Sequence, residues 1–253
     1  MRLEGRHAIV TGGGTGIGAA IARALAAEGA KLTLIGRRRG KLEEVAAGIT
    51  DALVAPADVT RREEIDAAFA KARETHGPVS ILVNNAGAAE SAPFEKLPAE
   101  IWRRMIAINL DGVFHGCQAA LPDLLADPAG RIVTVASSAG LKGYAYTSGY
   151  AAAKHGAIGL TRALAAEFAK TSLTVNAVCP GFTDTDFAAD SIAEIMRKSG
   201  RSEDDVRMAF AKFNPQQRLI APEEVASTVV WLCLPESQSM NGQAIAIAGG
   251  EIT

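Results

Sequence analysis

The chain has 253 residues, and 26 Lys+Arg against 28 Asp+Glu give a formal net charge of −2. Hydrophobic residues make up 48% and charged residues 21%, so a core can be buried without disulfides or metals, and a disordered chain is excluded. A near-neutral chain has no long-range field to steer nucleic acid or an anionic membrane, and neither is an expected partner.

In chain order, short β-branched or aliphatic runs alternate with longer Ala-rich helical patterns. The spacing predicts strand His7–Val10, helix Ile17–Glu28, strand Lys31–Ile35, helix Lys41–Gly48, strand Ala52–Ala55, helix Arg62–Thr75 and strand Ile81–Val83. A helix from about Glu100 to Leu125, strand Arg131–Val135, helix Tyr150–Lys170 and strand Thr174–Val178 follow. Pro222 opens the last long helix, and a final strand, Ala244–Ala248, ends in Gly249-Gly250. Apolar strands separated by helices indicate an α/β fold, a doubly wound parallel sheet of Rossmann type with helices on both faces. No Pro/Gly/Ser-rich linker divides the chain, so a single domain over residues 1–253 is expected.

Cys117, Cys179 and Cys233 are too few and too widely spaced for a disulfide framework, which suits reduced thiols in the cytoplasm. The residues before His7 hold no apolar signal core, and the run Val225 to Leu234 is too short to span a bilayer. No His/Cys/Asp/Glu group has metal-ligand spacing, so no metal is implied.

One stretch breaks the alternation. From Phe182 to Arg218 the chain carries Asp184, Asp186, Asp190 and Glu203-Asp204-Asp205, and reads as short helices. It follows the carboxyl end of a strand, where ligands of open α/β sheets lie, and is expected to cover the substrate. The competing reading is a solvated surface excursion. Phe182, Phe187, Phe210 and Phe213 fall in or beside it and suggest an apolar pocket wall, although the last two could pack against a neighbouring subunit.

The first strand runs into Thr11-Gly12-Gly13-Gly14-Thr15-Gly16-Ile17-Gly18 and then into a helix. Five glycines in seven residues let main-chain N–H groups approach a pyrophosphate with no Cβ in the way, and the helix start adds partial positive charge. Both Gly14-x-Gly16-x-x-Ala19 and Gly12-x-x-x-Gly16-x-Gly18 fit a dinucleotide turn, whereas a Walker A reading fails because Gly18 is followed by Ala19. After the second strand come Gly36-Arg37-Arg38-Arg39, with no carboxylate before Glu43. A guanidinium suits a 2′-phosphate, so NADP is favoured over NAD, with Arg37 the first choice and Arg38 the second. Thr15 adds no second positive charge there.

Tyr150 and Lys154 lie four residues apart on one helix face, about 5–6 Å apart at Cβ. A phenol ordinarily titrates near ~10, and an adjacent ammonium and a cationic nicotinamide would both favour the phenolate. Ser137, just past a strand, could hydrogen-bond the same substrate oxygen that Tyr150 serves. His115 reads as packed or capped, and His155 points away from Lys154. Tyr144 and Tyr146 either line the pocket or pack the loop.

These residues together resemble the short-chain dehydrogenase/reductase family in its compact form. The likeness rests on Thr11-Gly12-x-x-x-Gly16-Ile17-Gly18, Asn84-Asn85-Ala86-Gly87, Asn109, Ser137, Tyr150-x-x-x-Lys154 and Pro180-Gly181, in family order. The resemblance implies Tyr150 as proton donor or acceptor, and Lys154 as holder of the nicotinamide ribose that lowers the tyrosine pKa. It implies Ser137 as orienter of the carbonyl and Asn109 as anchor of a relay water. Asp58, followed by Val59, would meet the adenine; Asn84 to Gly87 would stabilise the sheet beside the cofactor. Past Pro180-Gly181, Thr183 or Thr185 would contact the nicotinamide carboxamide, with Thr185 the better match. Two positions depart from the family pattern: Ala248-Gly249-Gly250 stands for Asp-Gly-Gly, and Gln217 stands where many relatives have glycine. The expected activity is interconversion of a carbonyl and a secondary alcohol, by NADPH-dependent reduction of a small ketone or 3-oxoacyl thioester. The alternatives are an NAD-dependent alcohol or hydroxyacyl dehydrogenase and a non-catalytic dinucleotide-binding sensor or scaffold. A homotetramer is the family expectation.

Overall fold

Strands His7–Thr11 and Arg131–Val135 are covered on both faces, and every residue in each is buried, the polar His7, Thr11, Arg131 and Thr134 included. The computed structural model describes residues 1–185, 196–197 and 200–252. In chain order these form β1 (His7–Thr11), α1 (Gly16–Ala27), β2 (Lys31–Gly36), α2 (Arg39–Ala46), β3 (Ala52–Pro56), α3 (Arg62–His76) and β4 (Ile81–Asn84). Then come α4 (Ala99–Ile106), α5 (Gly112–Ala126), β5 (Arg131–Val135), α6 (Ser148–Glu167), β6 (Thr174–Pro180), α7 (Glu203–Ala211), α8 (Pro222–Cys233) and β7 (Ala244–Ile247).

The strands make one parallel sheet in the order β3-β2-β1-β4-β5-β6-β7. Alternate residues face opposite layers. Val10 and Leu34 pack with Ile21 and Leu25 of α1, Leu42 of α2 and Val229 of α8. Ile9 and Ile35 pack on the other side with Ile65 and Phe69 of α3, Ala120 of α5 and Ala165 of α6. The order turns back between β1 and β4, which opens a crevice at their carboxyl ends. Among the described residues no helix is long and apolar enough to cross a membrane. Burial pushes the Cys117 and Cys233 thiols up to about 12 and Cys179 up to about 11, so all three stay protonated and unreactive at neutral pH.

One expectation changes in detail, and two features singled out in the sequence gain a structural cause. The helix expected from Glu100 to Leu125 is interrupted by a π turn, Ala107–Asp111, between α4 and α5. Asn109 supplies the reason: its Nδ2 donates to Met105 O at 3.0 Å, taking the carbonyl that a regular helix would give to the main-chain N–H. The acids Glu203-Asp204-Asp205 form the first turn of α7, where the helix dipole favours them and Ser202 Oγ accepts from Asp205 N at 3.2 Å. Gln217, between α7 and α8, has φ 57°, the left-handed region that a side chain enters only at a cost. We therefore expect Gln217→Gly to stabilise the fold by about 0.5–1 kcal/mol. That gain is a rise in Tm of about 2–3 °C, and an unchanged or lower Tm would contradict it.

Candidate active site

The glycine turn is tied to the neighbouring strand end by side chains. Asn85 Nδ2 donates to Thr11 O at 3.0 Å and Gly12 O at 3.2 Å, while Thr11 Oγ1 accepts from Asn85 N at 3.0 Å and Ala86 N at 3.1 Å. This clasp leaves no room for a side chain. A Cβ on Gly18 would stand 2.2 Å from Gly12 O and 2.4 Å from Asn85 Nδ2, and one on Gly12, at φ 65°, would meet Asn85 Nδ2 at 2.8 Å. Gly14 lies against the start of α2, with Lys41 and Leu42 atoms 3.2 Å from its Cβ position. Thr15 is the N-cap of α1 and makes no side-chain cap bond, and the first turn, which includes Ile17, holds no acid. The first N–H groups of α1 are thus left to whatever occupies the turn.

Around this turn the structure gathers most of the residues singled out in the sequence. Asp58 and Val59 follow the carboxyl end of β3; Asp58 Oδ1 accepts from Thr60 N at 2.9 Å and Thr60 Oγ1 at 2.8 Å. Val59 is buried and its carbonyl meets His115 Nδ1 at 2.9 Å, so that histidine is a packing residue. Both Arg37 and Arg38 are exposed, but it is Arg38 whose Nη2 reaches Thr15 Oγ1, at 3.4 Å. The second-choice arginine therefore leans over the turn and the first choice does not. Beyond Pro180 and Gly181, Thr183 Oγ1 donates to Gly181 O at 3.0 Å. Thr185 comes back across the crevice, with its Cβ and Cγ2 each 3.1 Å from the Cβ position of Gly16.

The polar group at the ends of β4 and β5 is buried at Lys154 and Asn109 and half-buried at Ser137 and Tyr150. Lys154 is 4% exposed and its Nζ donates to Val135 O at 2.9 Å, 5.7 Å from the centre of the Tyr150 ring. Burial lowers this ammonium to about 8. Desolvation pushes the Tyr150 phenol above its ordinary value, opposed by a hydrogen bond with Ser137. The direction is opposite to the one expected from the lysine, because burial is the largest influence on this phenol. Ser137 Oγ also accepts from Ala139 N at 3.1 Å, which fixes the turn after β5. Asn109 is fully buried; its Nδ2 donates to Ala88 O at 2.8 Å as well as to Met105 O, and its Oδ1 accepts from Ala88 N at 3.3 Å. Gly87 stands between the two, its Cβ position 3.0 Å from Asn109 Oδ1 and 3.6 Å from Lys154 Nζ. His155 turns away and meets Ala151 O at 2.9 Å.

Beside this group lies an aromatic wall. Phe182 stacks on Phe210 at 4.8 Å and on Phe213 at 5.0 Å, and the Tyr144 ring stands edge-on to Phe182 at 6.1 Å. Tyr146 is 65% exposed and takes no part in it. Asp184 is held by Arg207 Nη2 at 2.7 Å, joining the end of β6 to α7. Phe187, Asp186 and Asp190 lie outside the described residues. Sequence reasoning missed Glu251, whose buried carboxylate meets Tyr144 and Lys142; the one signal was an acid directly after Gly249-Gly250.

A family model described as short chain dehydrogenase matches residues 6–195. The chain belongs to the short chain dehydrogenase family. Family members similar to it include the D-beta-hydroxybutyrate dehydrogenase of Rhizobium meliloti strain 1021, 37% identical over 97% of this chain and 98% of that enzyme. A putative ketoacyl reductase of Streptomyces coelicolor is 38% identical over 96% of this chain and 95% of that protein. Among solved structures, a variant actinorhodin polyketide ketoreductase with NADPH superimposes with a TM-score of 0.92 at 35% identity, covering 97% of both chains. Like these short chain dehydrogenases, the protein is an oxidoreductase acting between CH–OH and C=O.

Proposed function

We propose that this chain catalyses NADPH-dependent reduction of a ketone or a 3-oxoacyl thioester, with the reverse oxidation at the same site. The observation that carries the reading is the group of buried Lys154 with half-buried Ser137 and Tyr150, beside a glycine turn in which Gly12 and Gly18 admit no Cβ. That turn fits a dinucleotide. Gly12, Gly14, Thr15, Gly16 and Ile17 would receive the pyrophosphate at the start of α1. Asp58 and Val59 would border the adenine. Asn85, Ala86, Gly87, Pro180, Gly181, Thr183 and Thr185 would line the nicotinamide side, with Tyr150 and Lys154 reaching its ribose. A bound nicotinamide would supply the hydride for reduction, or accept it in oxidation.

The chain's own groups manage the oxygen. Ser137 donates a hydrogen bond to the carbonyl oxygen, and Tyr150 Oη delivers a proton to it as charge develops. A phenol that burial pushes further above neutral pH holds its proton and can serve as the donor. Lys154, buried and donating to Val135 O, keeps a positive charge beside Tyr150 up to mildly alkaline pH. Both Nδ2 protons of Asn109 are committed to main-chain carbonyls, so a relay water would be anchored by its remaining oxygen lone pairs.

A ketoreductase that holds NADPH and a putative ketoacyl reductase among the relatives support this cofactor and substrate class. A hydroxybutyrate dehydrogenase among them keeps an NAD-dependent oxidation as the second reading. One domain would carry the activity, with residues 182–218 covering the substrate; the aromatic wall and the Asp184–Arg207 pair support that cover. Free, buried cysteines suit a cytoplasmic enzyme, and exposed Trp102 and Phe114 on α4 and α5 suit a homotetramer.

Titration with NADPH and NADH, followed by turnover of ketones and oxoacyl thioesters, tests the reading; tight NADH with weak NADPH would overturn the cofactor. With Arg38 leaning over Thr15, Arg38→Asp should weaken NADPH about 10–100-fold more than NADH. Arg37→Asp should do so less. Equal weakening of both cofactors in both variants would remove the arginines from the 2′-phosphate site.

A further inference from the structure

Gly249 and Gly250, with φ 60° and 93°, turn the chain after β7 back toward the end of β6 and deliver Glu251 into the protein. Its side chain is 3% exposed. Oε1 lies 2.5 Å from the Tyr144 phenol and 3.0 Å from Lys142 Nζ. Oε2 is buried without a hydrogen-bond partner among the described residues, 3.2 Å from the Cβ position of Gly181. A buried carboxylate is costly, and its pair with a partly exposed lysine returns little of that cost. Folding alone gives no reason for an acid here, where an apolar side chain would serve.

The phenol has a single proton. At 2.5 Å from a carboxylate it donates there, within the range of a charge-assisted bond. The Ser138 hydroxyl, 2.8 Å from Tyr144 Oη, is then the donor to the phenol. A directed chain runs from Ser138 to Tyr144 to Glu251 and starts one residue from Ser137. Lys142 Nζ also lies 4.9 Å from the Tyr144 ring centre, so the ring is held from two sides. Burial and the carboxylate push the Tyr144 phenol well above its ordinary value, so it keeps its proton and does not act as a second acid.

We propose that Glu251 is a positioning residue: it locks Tyr144 against the aromatic wall and, through Ser138, fixes the β5–α6 segment that carries Ser137 and Tyr150. The proposal rests on the roles given above to Ser137 and Tyr150.

The test uses the full chain with NADPH and ethyl acetoacetate, a 3-oxo ester, as probe. Glu251→Leu and Tyr144→Phe should each lower kcat about tenfold or more, the scale of a small misplacement of reacting groups. NADPH affinity should hold within about twofold, as the chain does not touch the glycine turn, and Tm within about 2 °C, since the exchanges are of similar volume. Glu251→Gln, whose carboxamide oxygen still accepts from Tyr144, should keep most of the activity. The double variant Glu251→Leu/Tyr144→Phe should be no worse than the worse single one, because the two act as a unit. Unchanged kcat in both single variants, losses that multiply in the double variant, a Gln variant as impaired as the Leu variant, or a kcat loss that follows a fallen Tm would each overturn the proposal. If Glu251→Leu fails to fold, Tyr144→Phe and Glu251→Gln decide it. No turnover by the unaltered protein would instead overturn the reductase reading, and this proposal with it; an active protein indifferent to Glu251 overturns this proposal alone.

Discussion

Tyr150→Phe should lower kcat/KM about 10²–10⁴-fold, the loss expected when a positioned proton donor is removed, while weakening NADPH by no more than about tenfold, the scale of one hydrogen bond lost to its ribose. The substitution keeps the ring and deletes only the oxygen that Ser137 hydrogen-bonds, in a site where desolvation holds the phenol protonated. Nothing in the packing of α6 depends on that oxygen, so Tm should move by less than about 2 °C for a domain of this size. Steady-state kinetics beside a cofactor titration separate chemistry from binding. Retention of more than about a tenth of the activity would remove Tyr150 from the proton transfer.

The second large effect lies at the other end of the crevice. Gly18→Ala places a methyl group where Gly12 O is 2.2 Å and Asn85 Nδ2 is 2.4 Å away, both closer than real Cβ contacts come. Gly12 O is main chain, and Asn85 Nδ2 is already committed to Thr11 O and Gly12 O, so neither can give way without opening the clasp. We expect a loss of about 3 kcal/mol or more, the upper range of overpacking, together with at least about 100-fold weaker cofactor binding. Thermal unfolding and a fluorescence titration with NADPH check the two separately. A variant that unfolds at the same temperature and binds NADPH normally would mean that the turn is looser than its contacts indicate. Weak binding with an unchanged Tm would assign the glycine to the ligand alone.

These two sites were legible in the sequence for a shared reason: each is local. The Tyr150–Lys154 spacing is one helical turn, and the glycine run is continuous, so neither depends on distant residues for its pattern. The parallel sheet was legible through the same kind of signal, since a strand covered on both faces carries consecutive apolar residues in place of a strict alternation. Other features were hidden because their cause is far off in the chain. The π turn at Asn109 needs Ala88, 21 residues earlier, to hold the same carboxamide that takes Met105 O. Arg37 and Arg38 are equivalent as letters, and the contact of Arg38 with Thr15, 23 residues earlier, exists only in the folded chain.

The sequence by itself determined the order of strands and helices and the family, and it singled out the glycine turn and the candidate tyrosine, lysine and serine. Periodicity and short motifs are properties of neighbouring residues, and composition alone forces those segments to bury or to turn. The tertiary structure alone decided that Asn85 clasps the turn, that Thr185 reaches back to Gly16, and that Glu251 meets Tyr144 across 107 residues. Those contacts exist only when the sheet order brings the carboxyl ends of β1, β4, β5 and β6 side by side, because a carboxylate is worth burying only where its partner already stands.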